Sequence, residues 1–184
     1  MSRVGSVGLR RQRHQFGALC RSIIAQQLSA KAAKSITRRF LELFEPARLP
    51  SPERVLAIPQ RRLRACGLSG PKSKYLRALA GEFQHGCLRG ARLGSLPDDQ
   101  VIALLTTVPG IGIWTAEMFL IFSLGRLDVF SVGDLALRTG VQRVEQRTLS
   151  RNEIERVATR WAPYRSVASL YLWKIAHFVV EETC

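Results

Sequence analysis

Residues 105–140 read LTTVPGIGIWTAEMFLIFSLGRLDVFSVGDLALRTG. The centre is Val108-Pro109-Gly110-Ile111-Gly112, a tight turn between two apolar segments. Val101, Ile102, Leu104 and Leu105 recur at helical spacing before it, and Ala116, Phe119, Leu120 and Phe122 after it. Pro109 presets φ, and Gly110 and Gly112 are expected to accept positive φ, so the turn can be short. Without Cβ atoms the glycines leave backbone N–H groups bare at the start of the second helix. Such a helix N-terminus takes an anion, and a phosphate fits it. Read alone, PGIG is equally a glycine turn in a helical bundle.

The bulk of the chain narrows the function classes. Its 184 residues, 46% of them hydrophobic, suffice for one compact unit or two small lobes. The formal charge is +14, from 28 Lys and Arg against 14 Asp and Glu. That excess points to a polyanion, with nucleic acid the first candidate and an acidic membrane surface the second. No apolar run approaches the roughly 18 residues of a membrane span, and no apolar stretch behind the basic start resembles a secretory signal. The four cysteines, Cys20, Cys66, Cys87 and Cys184, are scattered. Soft-metal sites need closely spaced thiolates, so neither zinc nor an iron–sulfur cluster is expected. Reduced thiols in an intracellular protein are expected instead.

Periodicity predicts an all-α fold of about ten helices. Phe16, Leu19, Cys20, Ile23 and Ile24 form the apolar stripe of a helix over residues 12–28. Ser29 is placed to cap a second helix, residues 30–44, and Ser51-Pro52-Glu53 starts a third. Helices follow over 61–66 and 71–85, from Pro97-Asp98-Asp99 into the hairpin, and over the segment after the hairpin. Then come 135–144, 151–161 and a last helix from Pro163 to about Glu181. Residues 86–96, with Gly86, Gly90 and Gly94, read as loop. The arm contains Arg10, Arg11 and Arg13, for which solvated surface is the ordinary fate.

Pro109-Gly110-Ile111-Gly112-Ile113-Trp114-Thr115-Ala116 resembles the hairpin of the helix-hairpin-helix (HhH-GPD) DNA glycosylase superfamily, and Leu127–Asp134 resembles its Gly/Pro-rich loop ending in Asp. Ser22–Ala33 (SIIAQQLSAKAA), Gly67–Tyr75 (GLSGPKSKY) and Trp161–Trp173 (WAPYRSVASLYLW) extend the likeness to the 3-methyladenine DNA glycosylase II branch. The resemblance implies two helical lobes with a central cleft within a single glycosylase unit, residues 1–184. One lobe is expected over residues 35–130, the other over 1–34 plus 131–184. The N-terminal α/β domain of many bacterial relatives is not expected. Nor is the four-Cys cluster of the endonuclease III branch.

The resemblance assigns Asp134 as the catalytic residue. By itself an Asp after Gly133 and before a helix reads as an N-cap. Downstream of this hairpin it reads as the carboxylate that faces the positive charge built on deoxyribose as an N-glycosidic bond breaks. Asp128 is assigned to loop structure. Gly133 stands where many relatives have an acid. Trp114 occupies the position where bifunctional branches carry the Schiff-base Lys. No Lys occurs in residues 105–140, so no AP lyase activity is expected. The expected base pocket is Trp114, Trp173 and Tyr164, whose electron-rich faces suit a cationic alkylpurine. Trp173 reads equally as core of an amphipathic helix, and Tyr164 as core or rim.

For DNA the resemblance names Gln27, with Gln26 beside it, as the plug filling the gap left by a flipped base. Both also read as helix-surface amides. Ser69, Gly70 and Lys72 form a second expected minor-groove contact, and Gly110, Ile111, Gly112 and Thr115 the hairpin contact. Arg61, Arg62, Arg64, Lys72, Lys74 and Arg77 would add phosphate attraction. Backbone carbonyls of Thr106, Val108 and Ile111 are the expected seat of a structural potassium or sodium ion; no cofactor is expected for the chemistry.

The expected function is therefore excision of alkylated purines (3-methyladenine, 7-methylguanine type) from double-stranded DNA by base flipping, leaving an abasic site. The alternative is a non-catalytic helix-hairpin-helix DNA-binding module. The expected partner is duplex DNA with alkylated bases, with no membrane and a monomeric chain. The expected place is intracellular, at DNA in a bacterial cytoplasm or nucleoid, or a nucleus.

Overall fold

The computed structural model describes residues 5–9, 11, 12 and 14–178, without the side chains of residues 177 and 178. Arg10, Arg13, Cys184 and the expected end of the last helix at Glu181 lie outside the described residues. Among the described residues there are ten α-helices and no strand: α1 Gln15–Ala25, α2 Ala30–Glu42, α3 Pro52–Ala57, α4 Gln60–Ala65, α5 Gly70–Gln84, α6 Asp98–Thr106, α7 Ile113–Phe119, α8 Leu135–Glu145, α9 Arg151–Thr159 and α10 Arg165–Phe178. A 3-10 turn spans Leu93–Ser95, and a π-helical turn, Leu120–Leu124, continues α7.

Helix starts follow the local chemistry. Ser29, Ser51 and Ser69 each accept an N–H of the first turn of α2, α3 and α5. Ser150 and Glu153 form a reciprocal capping box on α9. His14 caps α1: its Nδ1 accepts from Gly17 N–H at 3.1 Å. Burial, and then Arg21, push the imidazole below its ordinary value, which keeps Nδ1 an acceptor. The cap starts α1 three residues later than the apolar stripe suggested. It ends early too, because Gln26 leaves the helical region (ψ 132°) and Gln27 is left-handed at φ +54°.

The chain divides into two units, Gln12–Phe119 and Met1–Arg11 with Leu120–Cys184. This differs from the expected lobes 35–130 and 1–34 plus 131–184. Helix α1 packs on α2, α5 and α7 and belongs with the first unit. The boundary falls where α7 passes into the π-helical turn. The first unit is centred on fully buried Leu19, Ile23, Ile24, Phe40, Phe44, Leu76 and Leu105. In the second unit Leu137, Val141, Leu149, Ile154, Val157 and Leu172 form the core, with Trp161 and Trp173 partly buried against it. Gly140 lets α8 approach α10, since a Cβ there would lie 2.7 Å from the Leu172 carbonyl oxygen.

Candidate functional site

In the first unit the hairpin is the turn between α6 and α7. Ile111 N–H closes it on the Val108 carbonyl at 3.0 Å, and Ala116 N–H on the Gly112 carbonyl at 3.0 Å. Gly110 has φ +88°, and a Cβ added there would run into the Tyr75 ring. Gly110 therefore needs glycine for both backbone and space. Gly112 is different from expectation: its φ is not positive, and a Cβ there would meet nothing within 4 Å. Its missing side chain leaves open space at the start of α7. Ile113 and Trp114 are exposed beside it, Trp114 by 46%.

The turn after α1 is tied to this hairpin. The Gln26 side-chain amide donates to the Gly110 carbonyl at 2.8 Å and to Thr115 Oγ1 at 3.5 Å. Gln26 thus serves the hairpin's structure, while exposed Gln27 projects from the turn. Lys72, in the first turn of α5, donates from Nζ to the carbonyls of Ile24 (2.8 Å) and Gln26 (2.6 Å). The expected phosphate contact at Lys72 is turned toward the protein instead. Arg77 is likewise committed, donating to the Leu56 and Ile58 carbonyls. Arg61, Arg62, Arg64 and Lys74 are exposed. Ser69 is occupied as the α5 cap, and Gly70 begins that helix.

In the second unit the loop before α8 is pinned to the start of α10. Arg165 grips Asp128 with two parallel bonds, Nε to Oδ1 at 2.7 Å and Nη2 to Oδ2 at 3.0 Å. These bonds hold the Asp128 carboxyl below its ordinary value. Ser166 Oγ accepts from Val129 N–H at 2.9 Å and donates to the Val129 carbonyl at 3.2 Å. The loop then delivers Asp134 to the N-cap of α8. Its Oδ1 accepts from Leu137 N–H at 2.8 Å and from Trp173 Nε1–H at 3.2 Å. Trp173 stacks on Phe122 with ring centroids 5.5 Å apart and an interplanar angle of 29°. Asp134 is therefore both a cap and a carboxylate fixed against an aromatic pair.

Phe122 escaped the sequence reading, which counted it in the buried stripe after the hairpin. The π-helical turn shifts the helical register there. Phe122 is 38% exposed and Ser123 is buried instead. No sequence signal marks the π turn. Tyr164, 58% exposed before α10, lies roughly two and a half helical turns from Trp173. It sits exposed at the entry to that helix. Burial raises the Cys20 and Cys66 thiols, marking them as inert core. Among the described residues no group of three His, Cys, Asp or Glu is placed to hold a metal.

The family model of the HhH-GPD superfamily base excision DNA repair proteins matches residues 20–163. DNA-3-methyladenine glycosylase 1 of Schizosaccharomyces pombe is 32% identical over 166 residues, which are 89% of this chain and 73% of that protein. The crystal structure of DNA-3-methyladenine glycosidase from Bacillus halodurans superimposes with a TM-score of 0.87 at 39% identity, covering 98% of this chain and 84% of that one. The S. pombe 3-methyladenine DNA glycosylase in complex with abasic DNA superimposes with a TM-score of 0.81 at 31% identity, covering 92% and 84%. A hairpin seated on Tyr75, a loop ending in Asp134 and these likenesses agree: the chain belongs to the HhH-GPD superfamily of base excision DNA repair proteins, in its 3-methyladenine DNA glycosylase branch.

Proposed function

We propose that this chain is a monofunctional DNA glycosylase that flips alkylated purines out of duplex DNA and hydrolyses their N-glycosidic bond, leaving an abasic site. The observation that carries the reading is the Asp134 carboxylate, held by Leu137 N–H and the Trp173 indole at the end of the loop after the hairpin. Relatives named for 3-methyladenine set the substrate class. The 3-methyladenine and 7-methylguanine types are cationic in DNA. The electron pair of the C1′–N bond departs with such a base readily, so no general acid is required of the protein. Positive charge then gathers on the sugar, and a preorganised carboxylate stabilises it. Asp134 also orients water, which adds to C1′ and gives its proton to the Asp134 carboxylate.

The indole of Trp173, with Phe122 stacked on it, offers an electron-rich surface to a cationic ring. Trp114 stands where bifunctional relatives carry their amine nucleophile, and residues 105–140 contain no Lys. Water is therefore the nucleophile, and no Schiff base forms. In the first unit, open Gly112 admits a phosphate at the hairpin and Gln27 enters the stack vacated by the flipped base. The carbonyls of Thr106, Val108 and Ile111 are proposed to hold a monovalent cation. The Val108 oxygen spends one lone pair on Ile111 N–H and keeps one for it. The proposed unit of action is a monomer on DNA inside the cell. Among the described residues no helix is long and apolar enough to cross a membrane.

Incubation with methylated duplex DNA tests the reading. Free methylpurine should appear, with strand breaks only after alkali. DNA binding without base release would support the non-catalytic module instead.

A further inference from the structure

The geometry of Lys72 points to a role other than phosphate contact. The last carbonyls of a helix lack intrahelical partners and carry the negative end of its dipole. Lys72 Nζ, reaching across from α5, satisfies two acceptors at the end of α1, the carbonyls of Ile24 and Gln26. Directly beyond them the backbone makes an unusual move. Gln27 adopts φ +54°, a conformation disfavoured for a residue with a side chain unless its surroundings hold it. The same Gln26 whose carbonyl Lys72 grips sends its amide into the hairpin, to Gly110 and Thr115. Tyr75, three residues after Lys72 on α5, is the surface on which Gly110 sits. The start of α5 thus touches both the Gln27 turn and the hairpin.

We propose that Lys72 is a positioning residue: its ammonium braces the turn after α1 so that Gln27 meets the DNA base stack in fixed register with the hairpin. This rests on the glycosylase reading for the role of Gln27. Partial burial pushes the Lys72 ammonium below its ordinary lysine value. Met in its place keeps the aliphatic stem and removes both bonds to the turn.

The test compares Lys72→Met, Gln27→Ala and the double variant in the full chain. Binding is titrated against duplex DNA with and without a tetrahydrofuran abasic analogue, at several salt concentrations. A 2-aminopurine beside the abasic position reports entry of the plug, and single-turnover excision from methylated DNA is measured at saturating enzyme. Lys72→Met should lose about tenfold in abasic-site affinity and lose the fluorescence change. Affinity for intact duplex and its salt slope should stay unchanged. The double variant should be no worse than Gln27→Ala, because Lys72 acts through Gln27. A salt slope reduced by about 0.9, the signature of one lost phosphate contact, overturns the proposal. So does a double variant whose loss is the product of the two single losses. Lys72→Gln, which keeps one donor group, should show a smaller loss, and carries the same comparison if Lys72→Met does not fold. If the wild type binds abasic DNA but releases no methylpurine, the glycosylase reading fails while salt slope and fluorescence still judge the brace.

Discussion

The Trp173 indole N–H and the Leu137 backbone N–H meet on the same oxygen, Oδ1 of Asp134, at 3.2 and 2.8 Å. One carboxylate therefore closes α8 and is aimed by α10. Substitution can separate these duties. Asp134→Asn keeps the size and an oxygen for the cap but removes the charge. Single-turnover excision should fall on the order of a hundredfold or more, while affinity for abasic DNA changes little. Asp128→Asn breaks the Arg165 grip and should lower the melting temperature more than the rate. Near-wild-type excision by Asp134→Asn, with loss in Asp128→Asn, would reverse the two assignments.

Trp173→Phe asks what the indole N–H adds. A Phe ring can still stack on Phe122, but the donor to Asp134 is gone. Hydrogen bonds to charged groups contribute roughly 1.5–3 kcal/mol. A drop of about tenfold in the excision rate is expected, together with a lower melting temperature from the lost bond. An unchanged rate would leave Trp173 a packing residue only.

The two hairpin glycines should behave differently. Gly110→Ala meets both φ +88° and the Tyr75 ring, and should destabilise the fold by more than about 1 kcal/mol. Gly112→Ala enters open space and should stay within about 0.5 kcal/mol of wild type. Gly112→Arg should fold yet obstruct the approach of a phosphate. Thermal melts and DNA titrations read both effects. If Gly112→Arg binds duplex DNA like wild type, the hairpin is no DNA contact.

Acid should loosen the second unit in a defined window. Arg147 and the Ser150 N–H hold the Glu153 carboxyl down at about 2, and Arg165 holds Asp128 below its ordinary value. Both folded values lie below the unfolded ones, so the unfolded chain binds more protons as pH falls. Their stabilisation is complete above the ordinary carboxylate range and is lost as pH drops toward about 2. Glu153→Gln should flatten the dependence of denaturation midpoint on pH between 5 and 2 in a measured series. The same slope in both proteins would show that the capping box does not titrate as described.

The reaction should leave the strand intact. With Trp114 at the hairpin and no Lys in residues 105–140, no covalent adduct is expected. Borohydride trapping of an enzyme–DNA complex would contradict hydrolysis by water.

Local chemistry determined a great deal of this protein. Among the described residues apolar spacing placed the helices within a few positions, because a helix and its caps are set by neighbours three or four positions away. Ser29, Ser51 and the Ser150–Glu153 box are of this kind, as is Asp134 as a helix start. The order of hairpin, loop and acid was equally legible, since it is a matter of spacing along one segment. Tertiary structure alone decided the direction of Lys72, which from sequence was one cation among 28. Its partners are the Ile24 and Gln26 carbonyls, and backbone oxygens carry no residue-type signal. It also separated Gly110 from Gly112: Gly110 has φ +88° and packs on Tyr75, and Gly112 does neither. Phe122 was brought out of the core and onto the Trp173 ring at a π-helical turn, and α1 was assigned to the first unit by its packing on α2, α5 and α7. Each of these depends on which surfaces meet across long stretches of chain, and local periodicity contains no term for that.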